Sequence, residues 1–140
     1  MIKKIFILVG LLIWVNMSNP KYNDRHLSIL TEEYFKTENL APKLIGHRIY
    51  MDEKDRIFLI DIESTTITSW DDIYFSFEAL SLLDKLSRDE FQTFIVVLHI
   101  PDQILPFVTI SSAECAKRFF VDGDYEEKWW RGECLQVKEL

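Results

Sequence analysis

The sequence predicts a small α+β domain in which two main helices pack on a mostly antiparallel sheet, preceded by an N-terminal signal or anchor segment. Three observations support this fold class. Helix-like and strand-like segments follow in the order helix, hairpin, helix, strand, strand, helix, strand. Residues 69–87 carry an apolar stripe so broad that this helix should be buried on more than one side. Residues 91–100 are apolar on both faces, which is typical of a central strand.

The first elements of the domain are a helix and a hairpin. Residues 27–38 carry apolar side chains at helical spacing, with charged residues between them, and Pro42 follows. This pattern predicts an amphipathic helix that ends before the proline. Two apolar runs, residues 47–51 and 56–62, flank the polar tetrapeptide Asp52–Asp55 and predict a β-hairpin.

The second half of the chain begins with the broad apolar helix. Ser69 and the carboxylate of Asp72, three residues later, form a capping-box-like pair, which predicts a helix from Ser69 to about Ser87. The later predicted elements are a central strand at 91–100, a strand at 106–110, a short helix that ends at Phe120 and a last strand within 127–137.

Composition and charge limit the function classes. The chain has 140 residues, which fits a single domain at residues 21–140, and its 48% hydrophobic content argues against disorder. Twenty-three acidic residues against 16 basic residues give a net charge of −7. No Lys/Arg cluster offsets this charge locally, so the sequence argues against nucleic-acid binding, and the charge fits either solubility or a basic partner.

Residues 1–20, MIKKIFILVGLLIWVNMSNP, have the pattern of a secretory signal peptide. Two lysines precede an apolar run from Ile5 to Val15, and a polar, turn-prone exit follows. The run is shorter than the roughly 20 apolar residues of a spanning helix. Because Ser18 alone meets the small-residue cleavage pattern, an uncleaved membrane anchor is the alternative. We expect a periplasmic or secreted protein whose only membrane contact is this segment.

Cys115 and Cys134 are the two cysteines of the chain. In an exported protein such a pair predicts a disulfide, which for a loop of this length stabilises the fold by about 3 kcal/mol. Glu114 and Glu133 lie beside the thiols and disfavour a reactive thiolate.

The segment between the cysteines holds the candidate binding residues. Trp129, Trp130 and Arg131 follow an acidic run, and on a strand one tryptophan would face the core and the other would face outward. The outward ring beside Arg131 would be an interface anchor. Alternatively, both rings cover the core or stack on the disulfide. The candidate binding residues are Asp124, Tyr125, Glu126, Trp129, Trp130 and Arg131.

The acidic run itself, Asp122 to Glu127, carries four carboxylates. Calcium binds six to eight oxygens, but the EF-hand spacing is not present because the glycine follows the first aspartate. We interpret the run as a solvated turn, and we expect no metal and no cofactor.

Asp61, Glu63 and His99 are the candidate catalytic residues of an alternative, enzymatic function. The two carboxylates lie two residues apart at the end of a predicted strand, and His99 closes the central strand. If these strand ends converge, the three groups could perform acid–base chemistry in a metal-independent hydrolase. The sequence contains no G-x-S-x-G, H-E-x-x-H, P-loop, dinucleotide-binding or C-x-x-C motif.

The sequence therefore favours a small exported binding protein, of an inhibitor or immunity-like kind, that acts by contact with a protein partner and without catalysis. The two alternatives are the hydrolase and a membrane-anchored accessory subunit of an envelope complex.

Overall fold

The computed structural model describes residues 21–139, and the predicted signal or anchor segment lies outside this range. The helices are α1 (Asp24–Thr37), α2 (Ser69–Leu86), α3 (Ala113–Phe120) and the short α4 (Glu127–Trp129), which continues into a π-helical turn (Trp130–Cys134). The strands are β1 (Lys43–Asp52), β2 (Asp55–Glu63), β3 (Thr93–His99), β4 (Phe107–Ser112) and β5 (Gln136–Glu139). Within the described range, no helix combines the length and the apolar character that crossing a bilayer requires.

The strands of the described residues form one mixed sheet, in which they lie side by side in chain order from β1 to β5. Neighbouring strands are antiparallel except for β2 and β3, which are parallel. A parallel pair requires a long crossover connection, and α2 supplies it. The predicted α+β class and mostly antiparallel sheet are confirmed.

The hydrophobic core lies between one face of this sheet and the helices. Alternate residues of the central strands are fully buried there, among them Phe58 and Ile60 of β2 and Phe94 and Val96 of β3. The residues between them point to the opposite face of the sheet because side chains alternate along a strand. Helix α2 contributes apolar residues from most of its circumference, which explains its broad apolar stripe.

The two long helices start in different ways. Asn23 precedes α1 and accepts a hydrogen bond from the backbone N–H of His26 at 3.0 Å. The residue that precedes α2 is Thr68, one position before the predicted Ser69. The Thr68 hydroxyl donates to the Asp72 carboxylate at 3.0 Å, but no side-chain cap hydrogen bond to the backbone forms at the start of α2, so the predicted capping box is absent.

The hairpin is longer than its apolar runs predict, because β1 begins at Lys43 and contains a bulge between Leu44 and Gly46. Its turn has neither Asn-Gly nor Asp-Gly. Instead, Glu53 adopts a φ of +56°, the left-handed conformation that this turn requires.

The predicted last strand within 127–137 is wrong over most of its length. Residues from Glu127 to Cys134 are helical, and β5 begins only at Gln136. The physical reason is the burial of Trp130, whose ring enters the core between α2 and α3. The carbonyl of Glu126 accepts hydrogen bonds from the N–H groups of Trp129 and Trp130, both at 3.1 Å, and starts the helical turn.

Candidate functional site

The disulfide fixes both ends of the segment that holds the candidate binding residues. Cys115 lies in the first turn of α3, where its N–H donates to the capping hydroxyl of Ser112 at 3.1 Å. Cys134 ends the π-helical turn, and the two cysteines are paired with their Cα atoms 6.2 Å apart. The predicted pairing is therefore present in the structure, and it holds residues 125–134, which we call the aromatic arm, against α3.

Trp130 anchors the aromatic arm in the core. Its ring is fully buried, stacks on Phe119 with centroids 5.5 Å apart, and meets the edges of further aromatic rings. The indole N–H donates to the Ser111 hydroxyl at 3.1 Å. The surrounding rings are those of Tyr74, Phe77, Phe119 and Phe120. Trp130 was a candidate binding residue, but a partner has no access to its side chain in this position.

Trp129 is the tryptophan that faces outward, with 44% of its surface exposed. Its ring packs on that of Tyr125, with centroids 4.1 Å apart. The Tyr125 hydroxyl accepts a hydrogen bond from Arg118 at 2.8 Å, and the Arg118 guanidinium lies 5.2 Å from the centre of the ring. The pair of rings, of which that of Tyr125 is half-buried, is therefore held in a fixed position on the surface.

Arg131 stacks on Trp70 of α2, with its guanidinium carbon 3.7 Å from the ring centre. The sequence placed Arg131 beside the exposed tryptophan of the pair, and the structure adds Trp70, which the sequence analysis did not identify. Trp70 is 40% exposed in the first turn of a helix that is otherwise deeply buried. A tryptophan at the start of a buried helix was the signal that could have identified it.

Side chains of the acidic run bind the rest of the fold. Asp124 lies 3.7 Å from Arg118, and Glu127 accepts a hydrogen bond from the Tyr74 hydroxyl at 2.7 Å. Burial, together with this bond to the carboxylate, raises the pKa of Tyr74 to about 12. Among residues 21–139, no group of three or more His, Cys, Asp or Glu side chains is arranged to hold a metal ion.

A cavity of about 550 Å³, which we call the disulfide cleft, lies between the aromatic arm and the end of β4. Tyr125 and Trp129 line it together with Glu114, Glu133 and the disulfide. Neither glutamate makes an ion pair with a basic side chain of the described residues. The cleft thus combines partly exposed aromatic surface with two carboxylates, of which Glu114 also interacts electrostatically with Arg118. In the sequence the two glutamates are neighbours of the thiols, and only the folded chain brings them to one cleft.

Two of the three candidate catalytic residues, Asp61 and His99, are in contact at the other end of the sheet. The His99 ring nitrogen Nε2 lies 2.8 Å from Asp61 Oδ1, and both side chains are partly exposed. The parallel register of β2 and β3 places Glu63 opposite His99, and Glu63 lies 3.8 Å from Lys43. Gly46 is opposite Asp61 in β1, and a Cβ at position 46 would lie 3.8 Å from Asp61 Oδ2.

A cavity of about 490 Å³ adjoins this group and is lined by Glu63, His99, Lys43 and Gln103, among others. None of the described residues that line it is a Ser, Thr or Cys. Comparisons with protein-family models, curated proteins and solved structures found no match for this chain.

Proposed function

We propose that this chain is a small exported protein that acts by binding a basic protein partner at the disulfide cleft, without catalysis. The observation that carries the proposal is the pair of the half-buried Tyr125 and the exposed Trp129 beside two carboxylates, Glu114 and Glu133, that make no ion pair within residues 21–139. Export is supported by the signal-like residues 1–20 and by the disulfide, which persists in oxidising compartments.

Two physical effects favour a basic partner. Tryptophan and tyrosine supply large apolar area at low entropic cost, and both rings attract a cation held over their faces. The net charge of −7 draws a basic surface toward the chain and raises the association rate. A lysine or arginine in the cleft could pair with Glu114 or Glu133 and pack on Trp129 at the same time.

Site-specific photo-cross-linking in the native host tests this proposal. A benzophenone amino acid replaces Trp129 in one variant and Met51 in the control, because Met51 is also exposed but lies in β1 at the opposite edge of the sheet. We expect one defined adduct from position 129 and none from position 51. Trp129→Ala and Glu133→Lys should each weaken the isolated complex at least tenfold, whereas Met51→Ala should not. Equal adducts at both positions, or none, would contradict the proposal.

The fate of the N-terminal segment separates a free protein from an anchored accessory subunit. Removal of a signal peptide would shorten the mature chain by roughly 18–20 residues. We expect the intact mass of the protein from the host envelope to show this loss. A full-length mass in the membrane fraction would favour the accessory subunit, and recovery from the cytoplasm would contradict export.

The contact between His99 and Asp61 favours hydrolysis as a second candidate function. In this role a neutral His99 would remove a proton from water, while Asp61 would orient the imidazole ring. The chain offers a control, because His47 lies 3.0 Å from the exposed Glu32 in another His–carboxylate pair, in which the histidine side chain is more buried than that of His99. On any ester, amide or phosphoester that the protein hydrolyses, His99→Gln and Asp61→Asn should reduce the rate about 100-fold or more, and His47→Gln should not. Equal effects of all three variants would exclude this role.

A further inference from the structure

The outer edge of β5 is a free sheet edge. Strand β5 is the last strand of the sheet and pairs with β4 on one side, and all four of its residues are exposed. Within residues 21–139, no strand pairs with its other side. Such an edge presents backbone N–H and C=O groups to which an extended segment of another protein can bind.

Neighbouring residues of β5 line two different cavities. Gln136 pairs with Ile110 and lines the disulfide cleft. Val137 pairs with the buried Thr109, so it belongs to the face that the helices cover, and it lines a cavity of about 210 Å³ there. Successive side chains of an added strand would point to opposite faces, and two adjacent residues would therefore reach the two cavities.

The two cavities differ in their chemistry. The smaller one is lined mainly by apolar side chains, including Ile73, Leu98 and Phe107, and suits an aliphatic side chain. Trp70 also lines this cavity, and the guanidinium of Arg131 stacks on its ring. The positive charge of Arg131 would repel a basic side chain of a partner in this cavity. The disulfide cleft has the opposite preference, because its glutamates and aromatic rings favour lysine or arginine.

The opposite edge of the sheet is less suited to strand addition. Strand β1 contains the bulge between Leu44 and Gly46, which interrupts its regular pairing. Bulges are one of the devices by which sheet edges avoid pairing with other chains. Strand β5 has no such irregularity in its register with β4.

We infer that the basic partner binds as an additional strand along β5, with an aliphatic side chain in the cavity beside Val137 and an adjacent basic side chain in the disulfide cleft. The inference rests on the proposed binding function and specifies the partner as an extended segment with alternating aliphatic and basic residues. Main-chain hydrogen bonds to β5 would give affinity, and the two cavities would give specificity.

Binding of synthetic peptides to the purified whole chain tests this inference. The probe is a capped octapeptide of alternating valine and arginine. Its controls are the same peptide with glutamate in place of arginine and one with a central proline, which cannot complete a strand. At 150 mM salt, we expect the valine–arginine peptide to bind at least tenfold more tightly than either control. Hydrogen exchange should show new protection of the β5 amides when it binds.

Variants separate this inference from the proposed function. Val137→Asp, at an exposed edge position, should weaken peptide binding at least tenfold, and circular dichroism checks that the variant is folded. Binding that depends on Trp129 but leaves the β5 amides unprotected would overturn strand addition and leave the proposed cleft function standing. Protection of β5 without any effect of Trp129→Ala would contradict the cleft function, and with it the placement of the basic side chain in the cleft, and would leave only the strand addition standing. Equal affinity for all three peptides would also overturn the inference.

Discussion

The adjacent residues Trp129 and Trp130 give a sharp test of the fold, because one ring is 44% exposed and the other is fully buried. Replacing each with alanine removes the same atoms from neighbouring positions of one helical turn. We expect Trp130→Ala to destabilise the protein strongly and Trp129→Ala to have little effect on stability.

The magnitude follows from burial. A fully buried tryptophan removes about 200 Å² from water, which at about 25 cal/mol per Å² corresponds to about 5 kcal/mol. Measured truncations of buried aromatic residues cost about 3–5 kcal/mol. We therefore expect Trp130→Ala to lower the free energy of unfolding by about 4 kcal/mol. Trp129→Ala should cost less than about 1 kcal/mol, as most exposed substitutions do.

Urea unfolding at pH 7, followed by far-ultraviolet circular dichroism with the disulfide intact, measures both effects. Trp130→Phe is an intermediate variant, since it keeps an aromatic ring but loses the hydrogen bond to Ser111, and it should cost about 1–3 kcal/mol. If Trp129→Ala destabilised the chain as much as Trp130→Ala, the assignment of one tryptophan to the core and the other to the surface would be wrong.

Three further predictions concern stability. Reduction of Cys115–Cys134 should lower the free energy of unfolding by about 3 kcal/mol, and urea titrations with and without dithiothreitol measure it. Burial raises the pKa of Asp84 above the ordinary aspartate value of 3.8, even though Lys117 lies 2.6 Å away. The free energy of unfolding should therefore fall as the pH rises above 3.8, because the folded chain then holds a proton that the unfolded chain has lost. Lys117→Met should therefore cost about 3–5 kcal/mol at pH 7.5 and less at pH 4.5 in the same titration. Gly123→Ala should lower the free energy of unfolding by about 1 kcal/mol. The cost comes from the φ of +70° alone, because a methyl group at this position would meet no other atom. Gly123→Asn should cost less, because asparagine adopts the left-handed conformation more readily.

The sequence predicted those elements whose pattern is local. The helical spacing of residues 27–38 and the stripe of residues 69–87 depend on the side chains of one segment, and both helices are present. The segment 127–134 is helical for a non-local reason. Its Trp130 is enclosed by rings from α2 and α3, such as Phe77 and Phe119, and no pattern within the segment itself predicts that environment.

The candidate sites show the same division. The contact between His99 and Asp61 forms only if the ends of β2 and β3 lie side by side, which the sequence alone does not show. The crossover through α2 makes these two strands neighbours. The disulfide cleft was not predicted because Glu114 and Glu133 meet only after the chain folds back from α3 through the aromatic arm. Charge and residue type were readable from the sequence, whereas the cavity depends on tertiary structure.

The position of Trp129 is determined by constraints that lie outside the ring itself. Burial of Trp130 fixes the helical turn, the bond between Tyr74 and Glu127 ties that turn to α2, and the disulfide ties its end to α3. An exposed aromatic side chain on a free loop would lose conformational entropy when it met a partner. Because the aromatic arm is already ordered, that cost is reduced, and a larger share of the contact energy remains available for affinity. The same features that stabilise the arm thus support its proposed role as a binding surface.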